Sequence, residues 1–320
     1  MITVLTGGTG GAKFVDGLRQ VSPPEELTLI VNTGDDLLWW GLYVSPDIDS
    51  ITYVLSGMLS KERGWGVKGD TFFCLQHMGQ LGQPIWFHAG DRDLAVHILR
   101  SKLLAEGKTL SEVTVEISDK LGVKARILPM SDSRVETRVG TPLGELSFEE
   151  YFVQRWYQDP VESIRFAGAA DAEPAPGVID AILEAEVVLV APSNPVTSIG
   201  PILAVPGVRE ALHKTKGRIA AVSPIVAGEA VAGPAGILMA SQGLPVSVAG
   251  VAQAYHDFLD MLVVDVRDAE AAEELQRSGL RVHVTKTIMR TAEDKADLAN
   301  AVLTAVRGQQ TAAAARPNHS

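Results

Sequence analysis

The stretch Ile2-Thr3-Val4-Leu5-Thr6-Gly7-Gly8-Thr9-Gly10-Gly11-Ala12-Lys13 decides the fold. An apolar β-type run enters a glycine cluster, and Phe14, Val15, Leu18 and Val21 then recur at helical spacing. Strand, glycine turn and helix form the first unit of a doubly wound α/β fold. Glycines let a backbone come close to a phosphate, and the helix N-terminus aims N–H groups and partial positive charge at it. Gly7, Gly8, Thr9, Gly10 and Lys13 are therefore nucleotide-binding candidates. A tight turn with no ligand is the simpler alternative. The dinucleotide fingerprint does not fit: with Gly8 and Gly10 as its first glycines, its third slot holds Lys13. Asn32 closes the second strand, where an NAD site wants a carboxylate for the ribose. The P-loop spacing is also absent.

Working outward, residues 26–32 read as a second buried strand, and 187–191, 218–223, 261–265 and 282–285 as further core strands. Residues 84–88 read as a short strand that delivers His88 to the cleft. Gly90-Asp91 opens a helix, with Asp91 as N-cap and Leu94, Ala95, Ile98 and Leu99 inward. Thr109 and Glu112 have capping-box spacing. The alternating segments at 124–170 suggest a smaller inserted α+β or helical sub-domain. The expected architecture is a Rossmann-like, doubly wound, mostly parallel sheet in one domain over 1–310. A frayed tail is expected over 311–320. Loops at the carboxyl ends of the strands should converge on one cleft.

With 320 residues, 46% hydrophobic and 21% charged, the chain has ordinary globular composition. A net charge of −11 argues against nucleic-acid or anionic-membrane partners, which need a basic face. One cysteine, Cys74, leaves no internal disulfide and suits a reducing cytoplasm. No signal peptide and no long apolar span are evident.

Four carboxylates, Asp35, Asp36, Asp47 and Asp49, lie within 15 residues in loop-like sequence. Such a cluster suits Mg²⁺ bound together with phosphate oxygens; caps and turns are the alternative for any one of them. Trp39, Trp40, Tyr43 and Trp65 offer planar faces for a ring-bearing substrate, although simple hydrophobic fill explains Trp86. Arg92 opposes the dipole at a helix start, so it serves either an anion or a surface ion pair with Asp93. The Pro-bracketed loop Pro192-Ser193-Asn194-Pro195-Val196-Thr197 resembles a second anion or base clamp, with an Asx turn as the plainer reading. His97, on a helix, reads as structural. No covalent nucleophile is indicated.

Taken together, these motifs resemble the CofD family, the 2-phospho-L-lactate transferases of deazaflavin coenzyme (F-420) biosynthesis. The matching residues are Gly7-Gly8-Thr9-Gly10 with Lys13, Val31-Asn32-Thr33, Ser45-Pro46-Asp47-Ile48-Asp49 and Gly90-Asp91-Arg92-Asp93. Leu128-Pro129-Met130-Ser131-Asp132, the loop from Pro192 to Pro201, Ser223-Pro224-Ile225 and Gly233-Pro234-Ala235-Gly236 complete the set. The resemblance implies a Mg²⁺-dependent transfer of 2-phospho-L-lactate, or phosphoenolpyruvate, from a guanosine-linked donor to the ribityl hydroxyl of the deazaflavin Fo. GMP is released. It implies that the glycine loop, Lys13, Ser193, Asn194 and Thr197 hold the nucleotide, and that Asp49 and His88 contact Fo. It leaves Asp49 to orient the hydroxyl, deprotonate it, or ligate the metal beside Asp35 and Asp36. A cytoplasmic homodimer is also implied. The second reading is a non-catalytic nucleotide or nucleotide-sugar sensor of the related regulatory family. Asp49→Asn is expected to abolish turnover and leave the fold intact.

Overall fold

The computed structural model describes residues 1–314, with side chains through residue 308. Of the expected tail, 315–320 lie outside the described residues, and the backbone of 311–314 ends the last helix, Ala292–Ala314.

Seven strands form the core: β1 (Ile2–Thr6), β2 (Leu27–Val31), β3 (Arg126–Pro129), β4 (Val187–Val190), β5 (Arg218–Val222), β6 (Met261–Asp265) and β7 (Arg281–Thr285). Their order is β3-β2-β1-β4-β5-β6-β7, and every pairing is parallel. This is the doubly wound arrangement expected from the first twelve residues. β1 and β2 are buried along their whole length, as strands covered on both faces must be. Alternate residues serve two layers. Leu5, Ile30 and Val188 face one side, while Val4, Leu29 and Leu189 face the other.

Helix α1 (Gly8–Val21) buries Phe14, Val15 and Leu18 on the second side, but Val21 is 37% exposed. It packs against the last helix so closely that a Cβ on Gly17 would lie 2.1 Å from the Lys295 carbonyl oxygen. Helix α2 (Pro46–Leu55) adds Ile48, Ile51 and Val54 to the same layer.

The insertion begins later than the sequence suggests. Residues 126–129 are the edge strand β3 of the main sheet, paired in register with β2. The inserted element is a three-stranded antiparallel sheet, Glu136–Thr141 at its centre, flanked by Gly144–Ser147 and Ser163–Ala167. Its buried Val139, with the neighbouring Phe148 and Tyr151, joins the first core layer, so it is fastened to the domain rather than hinged on it.

Residues 84–88 do not form a strand. They run as irregular chain after helix α3 (Phe73–Gln80) and lead into α4 (Asp91–Ala105). The helix starts here are held by exchange. Asp91 is not its own N-cap; it accepts from the Phe73 and Cys74 N–H groups and so caps α3. Asp70 accepts from the Arg92 and Asp93 N–H groups and caps α4. The capping box forms as expected at Thr109 and Glu112, opening α5 (Leu110–Lys120).

Candidate active site

β1 sits between β2 and β4, where the chain direction across the sheet reverses. That reversal opens the crevice in which doubly wound proteins bind ligands. The register Thr6↔Val31 and Leu5↔Val190 brings three loops to this point: Gly7 onward, Asn32 onward and Pro192 onward.

The glycine loop is shaped first by its protein neighbours. Gly8 has φ +65°, which favours glycine. A Cβ on Gly7 would lie 2.6 Å from Asp47 Oδ2, and one on Gly10 only 2.2 Å from the Pro192 carbonyl oxygen. The Ser193 hydroxyl donates to the Gly7 carbonyl at 2.7 Å, tying the two clamp loops together. Asn194 accepts from the Val196 N–H at 3.0 Å, so its carbonyl makes the Asx turn. Thr9 is exposed, and Lys13 is half-buried with no ion pair among the described residues. Among the described residues, the buried hydroxyls of Thr6, Thr33 and Thr197 have no hydrogen-bond partner. Buried polar groups are nearly always satisfied, so these orphans mark the loops as a polar ligand cradle.

Asn32 is the hub of that cradle. Fully buried, it donates to Asp35 Oδ2 at 2.9 Å and to Asp47 Oδ2 at 3.0 Å, and accepts from the Gly34 N–H at 2.8 Å. A neutral amide can bridge two carboxylates here, where an acidic residue would add a third negative charge. Asp47 Oδ1 accepts from the Gly8 N–H at 2.6 Å. A carboxylate thus occupies a backbone donor that the sequence assigns to a phosphate.

Asp35, Asp36, Asp47 and Glu149 form a buried acidic group. Glu149 comes from the helical segment that follows the strand Gly144–Ser147 of the insertion, and nothing in its local sequence marks it. Burial raises all four: Asp47 to about 6, Asp36 and Glu149 to about 8, and Asp35 well above its ordinary range, with repulsion from Asp47 and Glu149 adding to the last. One oxygen each of Asp35 and Asp36 is buried without a partner, and none of the four makes an ion pair among the described residues. Uncompensated carboxylates of this kind fit a hard divalent cation, which takes oxygen ligands and offsets their charge.

The same burial sets a pH dependence. Unfolded, these carboxyls titrate near 3.8 or 4.5; folded, three of them titrate near 6 to 8. The metal-free folded state therefore holds more protons across this interval, and its stability falls as pH rises from about 4 to about 8. Thermal denaturation against pH should show that fall, with Mg²⁺ stabilising strongly at pH 8 and little at pH 5. A midpoint that rises over this range without metal contradicts the cluster's electrostatics.

Asp49 lies elsewhere in the network. It is 4% exposed and takes both terminal nitrogens of Arg100, with Nη1 donating to Oδ2 at 3.0 Å and Nη2 to Oδ1. His97 Nδ1 is 3.5 Å from Asp49 Oδ2, and His97 Nε2 is 3.5 Å from Asp93 Oδ2. Asp93 also accepts from the Tyr53 hydroxyl at 2.6 Å. Asp49, Asp93 and His97 offer atoms within 4.8 Å of one another, as a metal site would, but the Arg100 cation already sits on Asp49. Asp35 therefore belongs to the cation-poor group and Asp49 to an arginine-held one, while Asp36, which also feels the Arg100 charge, lies between them.

The inward face of α4 is not the apolar one expected. Ala95 and Ile98 are exposed, and Asp93, Leu94, His97, Arg100 and Leu103 are buried. Asp93, His97 and Arg100 recur at i, i+4 and i+7, a spacing legible in the sequence as a buried face but masked by the polarity of the residues. With Asp93 used internally, the surface ion pair with Arg92 does not form; exposed Arg92 reaches only the Lys68 carbonyl, at 3.5 Å.

His88 is exposed, its ring 6.3 Å from that of Trp65, and the Arg63 guanidinium lies 5.2 Å over the same Trp65 ring. Among the described residues no contact joins His88 to Asp49. Trp39, Trp86 and Phe87 pack into a small apolar cluster, so most of the aromatic segment is fill, whereas Trp65 stays 36% exposed with Arg63 over its ring.

The profile of the family described as 2-phospho-L-lactate transferase CofD matches residues 2–306. The chain is similar to the 2-phospho-L-lactate transferase of Methanosarcina mazei, with 41% identity over 94% of this chain and 99% of that one. It is equally similar to the phosphoenolpyruvate transferase of Streptomyces coelicolor, with 42% identity over 95% and 97%. Its fold resembles that of a member of the UPF0052 family from Bacillus halodurans, with TM-score 0.62, 17% identity, and coverage of 94% of this chain and 98% of that one. No helix among the described residues is long and apolar enough to cross a membrane. A glycine loop at the switch point, a second clamp loop beside it and a full-length family match agree: the chain is an enzyme of the CofD family, the 2-phospho-L-lactate transferases.

Proposed function

We propose that the enzyme moves a 2-phospho-L-lactate or phosphoenolpyruvate moiety from a guanosine diphosphate-type donor to the ribityl hydroxyl of the deazaflavin Fo, releasing GMP. The observation that carries this reading is the crevice between β1 and β4, where unpartnered threonine hydroxyls border carboxylates that lack a cation. The acceptor oxygen bonds to the donor's distal phosphorus, the bond from that phosphorus to the bridging oxygen breaks, and GMP leaves with the electron pair. The acceptor proton passes to solvent. Such transfers need positioning and charge stabilisation rather than a covalent enzyme intermediate.

The residues divide that work. The glycine loop, Lys13 and the Ser193–Thr197 loop hold the guanosine diphosphate part, with Lys13 free to meet a phosphate. Asp35, Asp36, Asp47 and Glu149 would hold Mg²⁺. When bound, the ion supplies charge neutralisation at the phosphates. Displacement of Asp47 from the Gly8 N–H would return that donor to a phosphate oxygen. Asp49 accepts a hydrogen bond from the Fo hydroxyl and orients it, and His88 with Trp65 meets the deazaflavin ring. A cytoplasmic homodimer belongs to the same reading, on the strength of the family resemblance and the lone cysteine.

Relatives named for lactyl and for enolpyruvyl transfer are equally similar to this chain, so identity does not select the donor. Mass spectrometry of the product from Fo, offered lactyl, enolpyruvyl and glyceryl donors together, settles it. One adduct should dominate, disappear with EDTA and return with Mg²⁺. No adduct from any donor rejects the reading, and an EDTA-insensitive adduct rejects the metal's part in it.

A further inference from the structure

Helix α4 commits its buried face to charge. Arg100 and His97 are each 1% exposed and Asp93 is 7%, while Ile98 on the outer face is 54% exposed. Burying an aliphatic side chain removes apolar surface from water and stabilises the fold. A buried ion pair often stabilises no more than apolar groups of similar volume would. A face composed this way gives up stability, and what it obtains is the placement of one carboxylate.

Arg100 meets Asp49 edge to edge, one terminal nitrogen on each carboxylate oxygen. A planar fork on a planar carboxylate fixes both the rotamer and the tilt of the carboxylate plane. The fork is braced in turn. His97 Nδ1 stands 3.4 Å from Arg100 Nη1, and Asp93, held by the Tyr53 hydroxyl, stands behind the other ring nitrogen. Asp49 and Tyr53 lie one turn apart on α2; Asp93, His97 and Arg100 span two turns of α4. The clamp therefore locks the rotation of α2 against α4. Two lone-pair positions on the Asp49 carboxylate remain after the fork is seated. Its side chain keeps 6% of its surface open, space for one small polar contact.

We propose that Arg100 is a positioning residue for the transfer, acting through Asp49. It aims the free lone pairs of that carboxylate at the acceptor hydroxyl and touches neither substrate itself. The proposal rests on the reading of Asp49 as the group that meets the acceptor.

The test compares wild type, Arg100→Lys and Arg100→Met. Acceptor and donor are varied separately, and kcat is expressed per folded molecule, with GDP-induced thermal shift as the control for the nucleotide site. Arg100→Lys keeps the charge and loses the fork, so it should retain the GDP shift and the donor KM. Its kcat should fall about 10- to 100-fold, because a misaimed group of this kind costs up to about two orders of magnitude. Arg100→Met should fall further, making the lysine variant a partial rescue. A lysine variant with wild-type kcat and acceptor KM overturns the proposal. So does a loss accounted for wholly by a smaller folded fraction. Absence of transfer by wild type removes the functional reading and this proposal with it, whereas equal transfer by wild type and the lysine variant removes this proposal alone.

Discussion

Asp49→Asn is expected to lower turnover by about 10²-fold or more, the scale on which losing the orientation of a reacting group costs rate. The structure changes the other half of the sequence-based expectation, that the fold would be untouched. Asp49 is the counter-ion of a fully buried arginine. Removing one partner of such a pair leaves a buried charge uncompensated, at about 3–5 kcal/mol. Asparagine keeps one oxygen to accept from Arg100, which places the loss at about 3 kcal/mol, or a fall of about 4–5 °C in Tm for a chain of this size. Turnover and thermal denaturation must therefore be measured on the same preparation, well below the lowered midpoint. Wild-type turnover in the folded variant would take Asp49 out of the mechanism. An unchanged Tm would show that the Arg100 pair is not formed in solution.

Gly10→Ala is the second large effect, and it arises from one atom. The added Cβ would sit 2.2 Å from the Pro192 carbonyl oxygen, which belongs to backbone and cannot swing aside. Either α1 or the Pro192 loop must move, at about 1–3 kcal/mol for overpacking of this kind. In the proposed function these two elements flank the bound nucleotide. Donor KM should rise by about 10-fold or more and kcat should fall, since small displacements of positioning groups cost up to about 10²-fold. Acceptor KM should stay put. Gly308→Ala, where a Cβ meets nothing within 4 Å among the described residues, is the control and should alter neither. Wild-type donor kinetics in Gly10→Ala would mean that the two loops separate freely and do not form one clamp.

The fold was legible because its signals are local. The run Ile2 to Thr6 is wholly apolar or β-branched, as a strand covered on both faces requires, and glycine follows where φ becomes positive at Gly8. Phe14, Val15 and Leu18 then bury one stripe. Residues 126–129 were harder to place. A run as short as Arg126-Ile127-Leu128-Pro129 reads alike on the main sheet or in an insertion, and only pairing with β2 distinguishes them. Residues 84–88 differ for a related reason: short apolar aromatics resemble a strand, but here Trp86 and Phe87 pack their side chains into a side cluster around Trp39 without joining a ladder.

The site was legible in its parts and not in its pairings. Sequence alone determined that a phosphate-type glycine loop opens a doubly wound sheet, that Asn32 and Lys13 turn it away from NAD, and that carboxylates gather close behind it. Tertiary structure alone decided how those carboxylates divide. Asp47 reaches the Gly8 N–H across 39 residues, Glu149 joins Asp35 and Asp36 from a helical segment of the insertion, and Asp49 pairs with Arg100 across 51 residues. The physical reason is that a charge in a sequence carries no record of its surroundings. Whether it is solvated, paired or left without a partner depends on which other element covers it, and that is settled only when the sheet brings distant loops to one edge.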